Sequence, residues 1–336
     1  MRTPFTGVGT ALITPFTKGG AIDEAAVKRL ATRQIDAGVH FLVPCGTTGE
    51  SPTLTHREKL RVVELVLEEA AGKVPVMAGA GGYDTREAVE LSRDMEKVGA
   101  DGLLHVSPYY NKPTQEGQYQ HFKAIAESTR LPIVLYSIQG RTGVNIDVAT
   151  VLRLAQIRNI VGIKEASGSL VQMTDIVANA PEEFLLLSGD DPITVPVMAI
   201  GGRGVISVAS NEVPAEMVQV VELCEKGDFA AARKLQGWLL PLLTGNFVES
   251  NPAPCKAAMA AMGLCEDELR LPLVSVTPAS ICRFARRLTA ASSIAPPLVK
   301  GVMSAVPTPV NGVRMAVSLV KPDVEAGPWT RRRRAV

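Results

Sequence analysis

Leu131-Pro132-Ile133-Val134-Leu135-Tyr136 and, further along, Ile160-Val161-Gly162-Ile163-Lys164 are the stretches whose reading decides the fold. Both are short, built from Val, Ile and Leu with little polar alternation, and each ends on a residue able to do chemistry. A run without polar alternation is what a strand covered on both faces requires, and such strands lie in parallel sheets. Six further runs share the character: Val8 to Ile13, Val39 to Val43, Val74 to Ala78, Gly102 to Val106, Phe184 to Leu187 and Gly204 to Val208. Their starts fall roughly 20 to 35 residues apart, the spacing of successive strand–helix units.

Amphipathic helix patterns fill the intervals. In Asp23 to Gly38, residues Ala26, Val27, Leu30, Ala31 and Ile35 share a face; in Thr55 to Ala70, so do Leu60, Val63, Leu67 and Ala70. Asp23 and Thr55 are placed to cap these helices, the latter with Glu58 as a capping box, and Asp84 with Glu87 repeats the design. Eight strands alternating with helices predict an α/β chain closed as a (β/α)8 TIM barrel over residues 1–225, and no GxGxxG follows the first strand. After Val208 the pattern is helical only, at Glu212 to Lys226, Asp228 to Leu243, Pro252 to Met262 and Pro278 to Leu288. A C-terminal helical appendage over residues 226–291 is expected to pack on the barrel. Residues 292–336 are Pro-punctuated and end in Arg331 to Arg334, which reads as a poorly ordered tail with a solvated basic end, the other reading being a site for an acidic partner.

Composition narrows the function classes. The 336 residues carry 35 Lys and Arg against 34 Asp and Glu, a net charge of +1, which argues against a nucleic-acid footprint. Cys45, Cys224, Cys255, Cys265 and Cys282 are odd in number and form no CxxC pair, pointing to a reduced, cytoplasmic setting and to packing roles. No signal-peptide pattern opens the chain, and no apolar stretch of about 18 residues occurs, so no membrane partner is expected. His40, His56, His105 and His121 show no metal-ligand spacing, so no metal site is expected.

In a barrel the substrate sits at the carboxyl ends of the strands, which selects the polar residues just after each run. Lys164 would project there among apolar neighbours, which favour its neutral amine, a nucleophile toward carbonyl carbon. The other reading is a salt-bridged lysine paired with Glu165. Tyr136, Tyr109 and Tyr110 could shuttle protons beside an amine, or serve as packing residues. Gly46-Thr47-Thr48-Gly49-Glu50-Ser51 offers backbone N–H groups and two hydroxyls to a carboxylate, or is a structural turn; it lacks the GK[ST] ending of a P-loop. Arg141 could clamp a carboxylate bidentately or form a surface ion pair. Asp190-Asp191 is read as capping the following helix rather than as a cation site.

Taken together, Gly46 to Ser51, Pro108 to Pro113, Tyr136, Arg141 to Gly143, Gly162 to Ala166, Ser188 to Asp191 and Gly201 to Ser207 resemble, in the same order, the motifs of the dihydrodipicolinate synthase family from about Thr6 to Leu288. The resemblance implies a homotetrameric (dimer-of-dimers) barrel enzyme that condenses pyruvate with L-aspartate 4-semialdehyde in the diaminopimelate route to lysine, with no cofactor or metal. It makes Lys164 the Schiff-base lysine, Tyr136 the proton donor and acceptor, and Thr47 and Tyr110 its relay, Tyr110 reaching into the adjacent subunit's site. Thr48 and the backbone of Ile206 would hold pyruvate, Arg141 the semialdehyde's carboxylate, and Gly189 a further part of the substrate.

Two departures stand out. Tyr136-Ser137-Ile138-Gln139-Gly140 replaces the family's Tyr-Asn-Val-Pro, putting a glycine-containing loop where a proline stiffens it. At the family's lysine-inhibition site Ser51, His56, Glu87 and Tyr109 match, whereas Pro52, Lys59 and Tyr83 do not, and the added cation predicts weak or absent inhibition by lysine. Two rival readings are other pyruvate-type Schiff-base lyases, acting on N-acetylneuraminate or 2-keto-3-deoxy sugar acids with the same Lys164 and Tyr136, and a non-catalytic ligand-binding barrel.

Overall fold

A computed structural model of the chain describes residues 4–280. The eight expected strands are present as β1 (Gly7–Ala11), β2 (Phe41–Val43), β3 (Met77–Gly79), β4 (Gly102–Val106), β5 (Ile133–Ser137), β6 (Ile160–Glu165), β7 (Leu185–Ser188) and β8 (Gly204–Ser207). All pair in parallel in the order β2-β1-β8-β7-β6-β5-β4-β3. A single parallel bridge from Leu42 to Val76 spans the remaining gap, so the sheet is a nearly closed TIM barrel. Every residue of every strand but Val106 is buried, which is why the runs show no polar alternation.

Helices α1 (Glu24–Asp36), α2 (His56–Ala70), α3 (Thr85–Val98), α4 (Gln115–Ser128), α5 (Gln139–Thr142), α6 (Val148–Leu154), α7 (Leu170–Asn179), α8 (Thr194–Ala199) and α9 (Pro214–Glu225) follow the strands, and α10 (Phe229–Gly245) and α11 (Ala253–Ala261) form the appendage. Asp23 caps α1 through the Ala26 N–H, and Thr55 with Glu58 forms the capping box of α2. Asp84 caps α3 on the Arg86 N–H, without the reciprocal Glu87 bond expected from the sequence. The buried arcs are rotated from the expected stripes: α1 buries Gln34, bound by the Thr10 hydroxyl, and leaves Ile35 half-exposed, while α2 buries Val62, Leu65 and Val66 and leaves Leu60 and Leu67 half-buried. A barrel helix packs on the sheet and on two neighbouring helices, so its covered arc is wider than one stripe. The expected tail, Arg331 to Arg334, Cys282 and most of the expected helix from Pro278 to Leu288 lie outside the described residues.

The barrel interior is a separate apolar layer of Phe5, Phe41, Val43, Met77, Leu104, Val134, Tyr136, Leu187 and Ile206, while Ile133, Leu135, Ile160 and Ile163 face the helices. One irregularity decides the chemistry. Between β5 and β6, Ile133 pairs with Ile160 but Val134 pairs with Gly162, so one extra residue is inserted in β6. A one-residue shift turns every later side chain to the other face. Counted from outward-facing Ile160 by uninterrupted alternation, Lys164 would face the helix layer; because the shift absorbs one residue, Lys164 pairs with inward-facing Tyr136 and shares the interior.

Candidate active site

Lys164 is 5% exposed, and its Nζ lies 4.1 Å from the centre of the Tyr136 ring. Burial lowers its pKa to about 8, the charge of Asp191 opposing that shift and that of Arg141 adding to it. The expected alternative pairing with Glu165 is not formed: Glu165 binds the Ser167 N–H at 2.6 Å and Gln172 of α7 at 2.6 Å. Burial pushes the Tyr136 phenol up to about 12, against the Arg141 charge and a hydrogen bond with Thr47. The phenol therefore holds its proton at neutral pH and can donate it.

Against the Tyr136 side of this pair the chain assembles a cavity of about 210 Å³ lined by Thr47, Ser51, Tyr109, Tyr136, Ile138 and Arg141 among others. The Gly46–Ser51 loop supplies Thr47, and Thr48 beside it is buried, its hydroxyl oxygen accepting from Asn251 Nδ2 at 3.0 Å. Arg141 sits in the short helix α5, so the proline-free loop is ordered by turning helical; its guanidinium donates to the Asn251 carbonyl at 3.2 Å and forms no ion pair among the described residues. Ile206 lies on the inner face of β8. Gly189 follows β7 where a Cβ would stand 2.7 Å from Ala166 Cβ and 3.1 Å from Lys164 Cγ, so only glycine leaves the lysine stem its place. Tyr110 is not brought into this cavity: it is 90% exposed, with φ at 68°, a left-handed conformation unusual for a tyrosine.

The Asp190-Asp191 reading needs correction. Neither caps the following helix: α8 begins after Ile193 with no side-chain cap, and Asp190 makes none. Asp191 instead reaches across the barrel end, its Oδ2 accepting from the N–H groups of Val208 at 3.0 Å and Ala209 at 2.9 Å. Sequence reasoning also missed Asn251, which bridges the Thr48 and Arg141 segments, and Lys256, fully buried and paired with Glu50. Asn251-Pro252 and Lys256 looked like an ordinary helix start; the signal available was a lysine among Ala and Cys on a short apolar helix.

A second cavity of about 510 Å³ adjoins the first, lined by Pro52, His56, Lys59, Tyr83, Glu87 and Tyr109 among others, while Ser51 faces the first. His56 is bound to Asp94 at 3.0 Å, and burial lowers the pKa of Lys59. Among the described residues no cluster of three His, Cys, Asp or Glu side chains could hold a metal ion, and no helix is long and apolar enough to cross a membrane.

The model of the dihydrodipicolinate synthetase family matches residues 4–291. The 4-hydroxy-tetrahydrodipicolinate synthase of Koribacter versatilis is 53% identical over 273 residues, 81% of this chain and 91% of that protein. That of Syntrophotalea carbinolica is 50% identical over 285 residues, 85% of this chain and 97% of the relative. The solved structure of the same enzyme from Methylacidiphilum fumariolicum SolV superposes with a TM-score of 0.84 at 43% identity, covering 90% of this chain and 99% of the other. The likeness spans the barrel, the appended helices and the segments that carry Lys164, Tyr136 and Arg141, and on it the chain belongs to the dihydrodipicolinate synthetase family.

Proposed function

We propose that the chain is a 4-hydroxy-tetrahydrodipicolinate synthase, condensing pyruvate with L-aspartate 4-semialdehyde through a Schiff base on Lys164. The observation that carries this reading is a buried lysine amine 4.1 Å from the ring of a buried tyrosine that itself lines a cavity together with Arg141. With a pKa of about 8 rather than the ordinary 10.5, the neutral amine is roughly 300-fold more abundant at pH 7.

Neutral Lys164 attacks the ketone carbon of pyruvate, and the carbinolamine loses water after Tyr136 donates a proton to its oxygen. The protonated imine withdraws electrons, so the adjacent methyl group gives up a proton to the tyrosinate and becomes an enamine carbon. That carbon attacks the aldehyde, whose oxygen takes the proton back from Tyr136. The semialdehyde's amine then adds to the imine carbon, closes the ring and expels Lys164. Thr47 hydrogen-bonds Tyr136 and passes its proton onward. Thr48, the Ile206 backbone and Gly189 hold pyruvate and the growing adduct, and Arg141 receives the second substrate's carboxylate.

Tyr110 points to solvent, which suits a residue completing the relay of a neighbouring subunit in a homotetramer. We place the enzyme in the cytoplasm and assign residues 1–225 to the catalytic barrel and 226–291 to the appended helices. The test is pyruvate consumption with L-aspartate semialdehyde by the wild type and Lys164→Ala, with N-acetylneuraminate cleavage as control. Turnover lost in the variant supports the reading. No turnover, with a borohydride-trapped pyruvate adduct on Lys164, redirects the reaction to another aldehyde, and no adduct overturns the Schiff-base chemistry.

A further inference from the structure

Lys164 pairs with Leu187 of β7, and two buried acids follow the neighbouring strand ends, Asp191 three residues after β7 and Glu212 five residues after β8. Asp191 is 2% exposed and is held by the Val208 and Ala209 N–H groups and by the Ser207 hydroxyl, all at the end of β8. These bonds fix its carboxylate in one orientation. The remaining oxygen, Oδ1, is buried and has no hydrogen-bond partner among the described residues. Glu212, equally buried, accepts one hydrogen bond, from Asn246 Nδ2 at 2.6 Å, and its second oxygen is also unpartnered. Two neighbouring buried carboxyls cannot both ionise cheaply, and the one with more donors keeps the charge. Burial raises both carboxyls: Glu212, with one donor and Asp191 nearby, is pushed up to about 8, whereas at Asp191 the Ser207, Ala209 and Val208 hydrogen bonds and the Lys164 charge oppose the rise, so of the two Asp191 is the better placed to hold the negative charge.

We propose that Asp191 is a positioning residue for the reaction at Lys164: a fixed, buried anion that sustains positive charge on the lysine nitrogen, first as the ammonium and then as the protonated imine. The assignment rests on the Schiff-base reading above. The groups that face Lys164 are few. Tyr136 of β5 offers the face of a neutral ring, Arg141 of α5 offers a cation, and Asp191 after β7 offers an anion. Facing Asp191 itself are Lys164, Asp190, Glu212 and Cys255, of which Lys164 is the cation. An imine withdraws electrons only while its nitrogen stays protonated. In a buried site beside Arg141, that protonation fails unless an anion stands near, and an anion already fixed by hydrogen bonds needs no reorganisation as the charge develops. No Lys164–Asp191 ion pair within 4.0 Å is formed, so the effect acts through space and leaves the amine free to attack.

The test is the pH dependence of pyruvate-dependent inactivation by borohydride, which reads the nucleophile and its imine directly. Asp191→Asn keeps the size of the side chain and an oxygen that can accept from Val208 and Ala209. In it, the midpoint of the trapping rate moves about one unit toward acid, a tenfold change in protonation or about 1.4 kcal/mol, and kcat falls at least tenfold. Glu212→Gln, which removes no charge at neutral pH, leaves the midpoint within a few tenths of a unit. Asp191→Ser, which also removes the charge, repeats the shift and decides the matter where the asparagine variant does not fold. A slower enzyme with an unmoved midpoint, or a midpoint moved toward alkali, overturns the proposal and leaves Asp191 a support for the end of β8. A wild type that gives no trapped adduct at any pH overturns the Schiff-base reading itself.

Discussion

Replacing Lys256 with methionine tests how the appended helices hold the catalytic loop. Lys256 pairs with Glu50, both fully buried, and donates to the Glu268 carbonyl at 2.8 Å, with Phe16 beneath its ammonium at 4.1 Å. Glu50 ends the loop that carries Thr47 and Thr48, in a left-handed conformation with φ at 53°, and its other oxygen accepts from the Arg270 N–H at 3.1 Å. Burial lowers the Lys256 pKa and the Glu50 charge opposes that shift, so each ion is tolerable only beside the other. In Lys256→Met the volume is nearly conserved, but Glu50 keeps a buried charge with one N–H donor. Leaving one half of a buried pair costs about 3–5 kcal/mol, a large fraction of a total stability on the order of 5–15 kcal/mol. Glu50→Gln added to Lys256→Met removes that stranded charge and restores at least about 2 kcal/mol, a coupling at the upper end for neighbouring residues. Urea titration of the two single variants and the double variant, followed by circular dichroism, measures both quantities. With the loop loosened, kcat/KM for pyruvate falls at least about tenfold in the single variant, because sub-ångström misplacement of the Thr47–Tyr136 contact is felt in the rate. A single variant less than about 1 kcal/mol below wild type, or a double variant whose loss equals the sum of the two single losses, refutes the reasoning.

Four further outcomes are expected. Adduct formation between the wild type and pyruvate rises with pH through about 8 and then levels, because the reactive amine is the deprotonated form; a stopped-flow midpoint above about 9.5 refutes the buried-lysine argument. Gly189→Ala forces a methyl against Ala166 and the Lys164 stem, so kcat falls at least about tenfold while the circular dichroism spectrum is kept, and an unchanged kcat refutes the steric assignment. Lys59, in the second cavity, keeps half-inhibition by free lysine above roughly millimolar, and sub-millimolar inhibition in steady-state assays refutes this. Burial lowers the pKa of His105 to about 3 and of His121 to about 4, so both stay neutral in the fold while the unfolded chain takes up protons below about 6.5. Stability is therefore lost as pH falls from about 6.5, at about 1.4 kcal/mol per unit for each histidine, and His105→Gln flattens that slope in urea titrations between pH 6.5 and 4.5; an unflattened slope refutes the assignment.

The fold was legible because barrel strands have no solvent face to confuse the pattern. Ile133 to Tyr136 and Ile160 to Ile163 read as strands for the reason that they are strands: one side fills the barrel and the other meets the helices. Strand ends were set within a few residues, since Val74 and Pro75 lead into β3 with apolar character but pair only through Pro75's carbonyl. The helix faces were less legible. Gln34 is buried where Ile35 was expected, because a polar partner waits at Thr10, and a hydrogen bond formed across sequence-distant elements leaves no mark on local periodicity.

The site divides along the same line. Lys164, Tyr136 and Arg141 were recognisable from where they stand relative to strand ends, a local property. What lets Lys164 face the interior four residues after an outward-facing Ile160 is the register shift between Ile160 and Gly162, and no residue type announces it: Val161 is an ordinary strand former, and the shift exists only as a mismatch with β5. Asp191 is misleading for a similar reason. An aspartate before a helix reads as a cap, since capping is the commonest use of that residue there. Here the carboxylate turns instead toward N–H groups that the end of β8 presents, and the residues donating them stand far along the chain. Local chemistry thus names the actors, whereas register between strands and the hydrogen bonds between loop ends decide which way they face. It follows that a residue-by-residue likeness at Lys164 and Tyr136 does not by itself bring the two together; the register after Gly162 must come with it, and a change that deletes Ile163 would turn an intact lysine away from its tyrosine, whereas deleting Val161 would remove the mismatch and leave them paired.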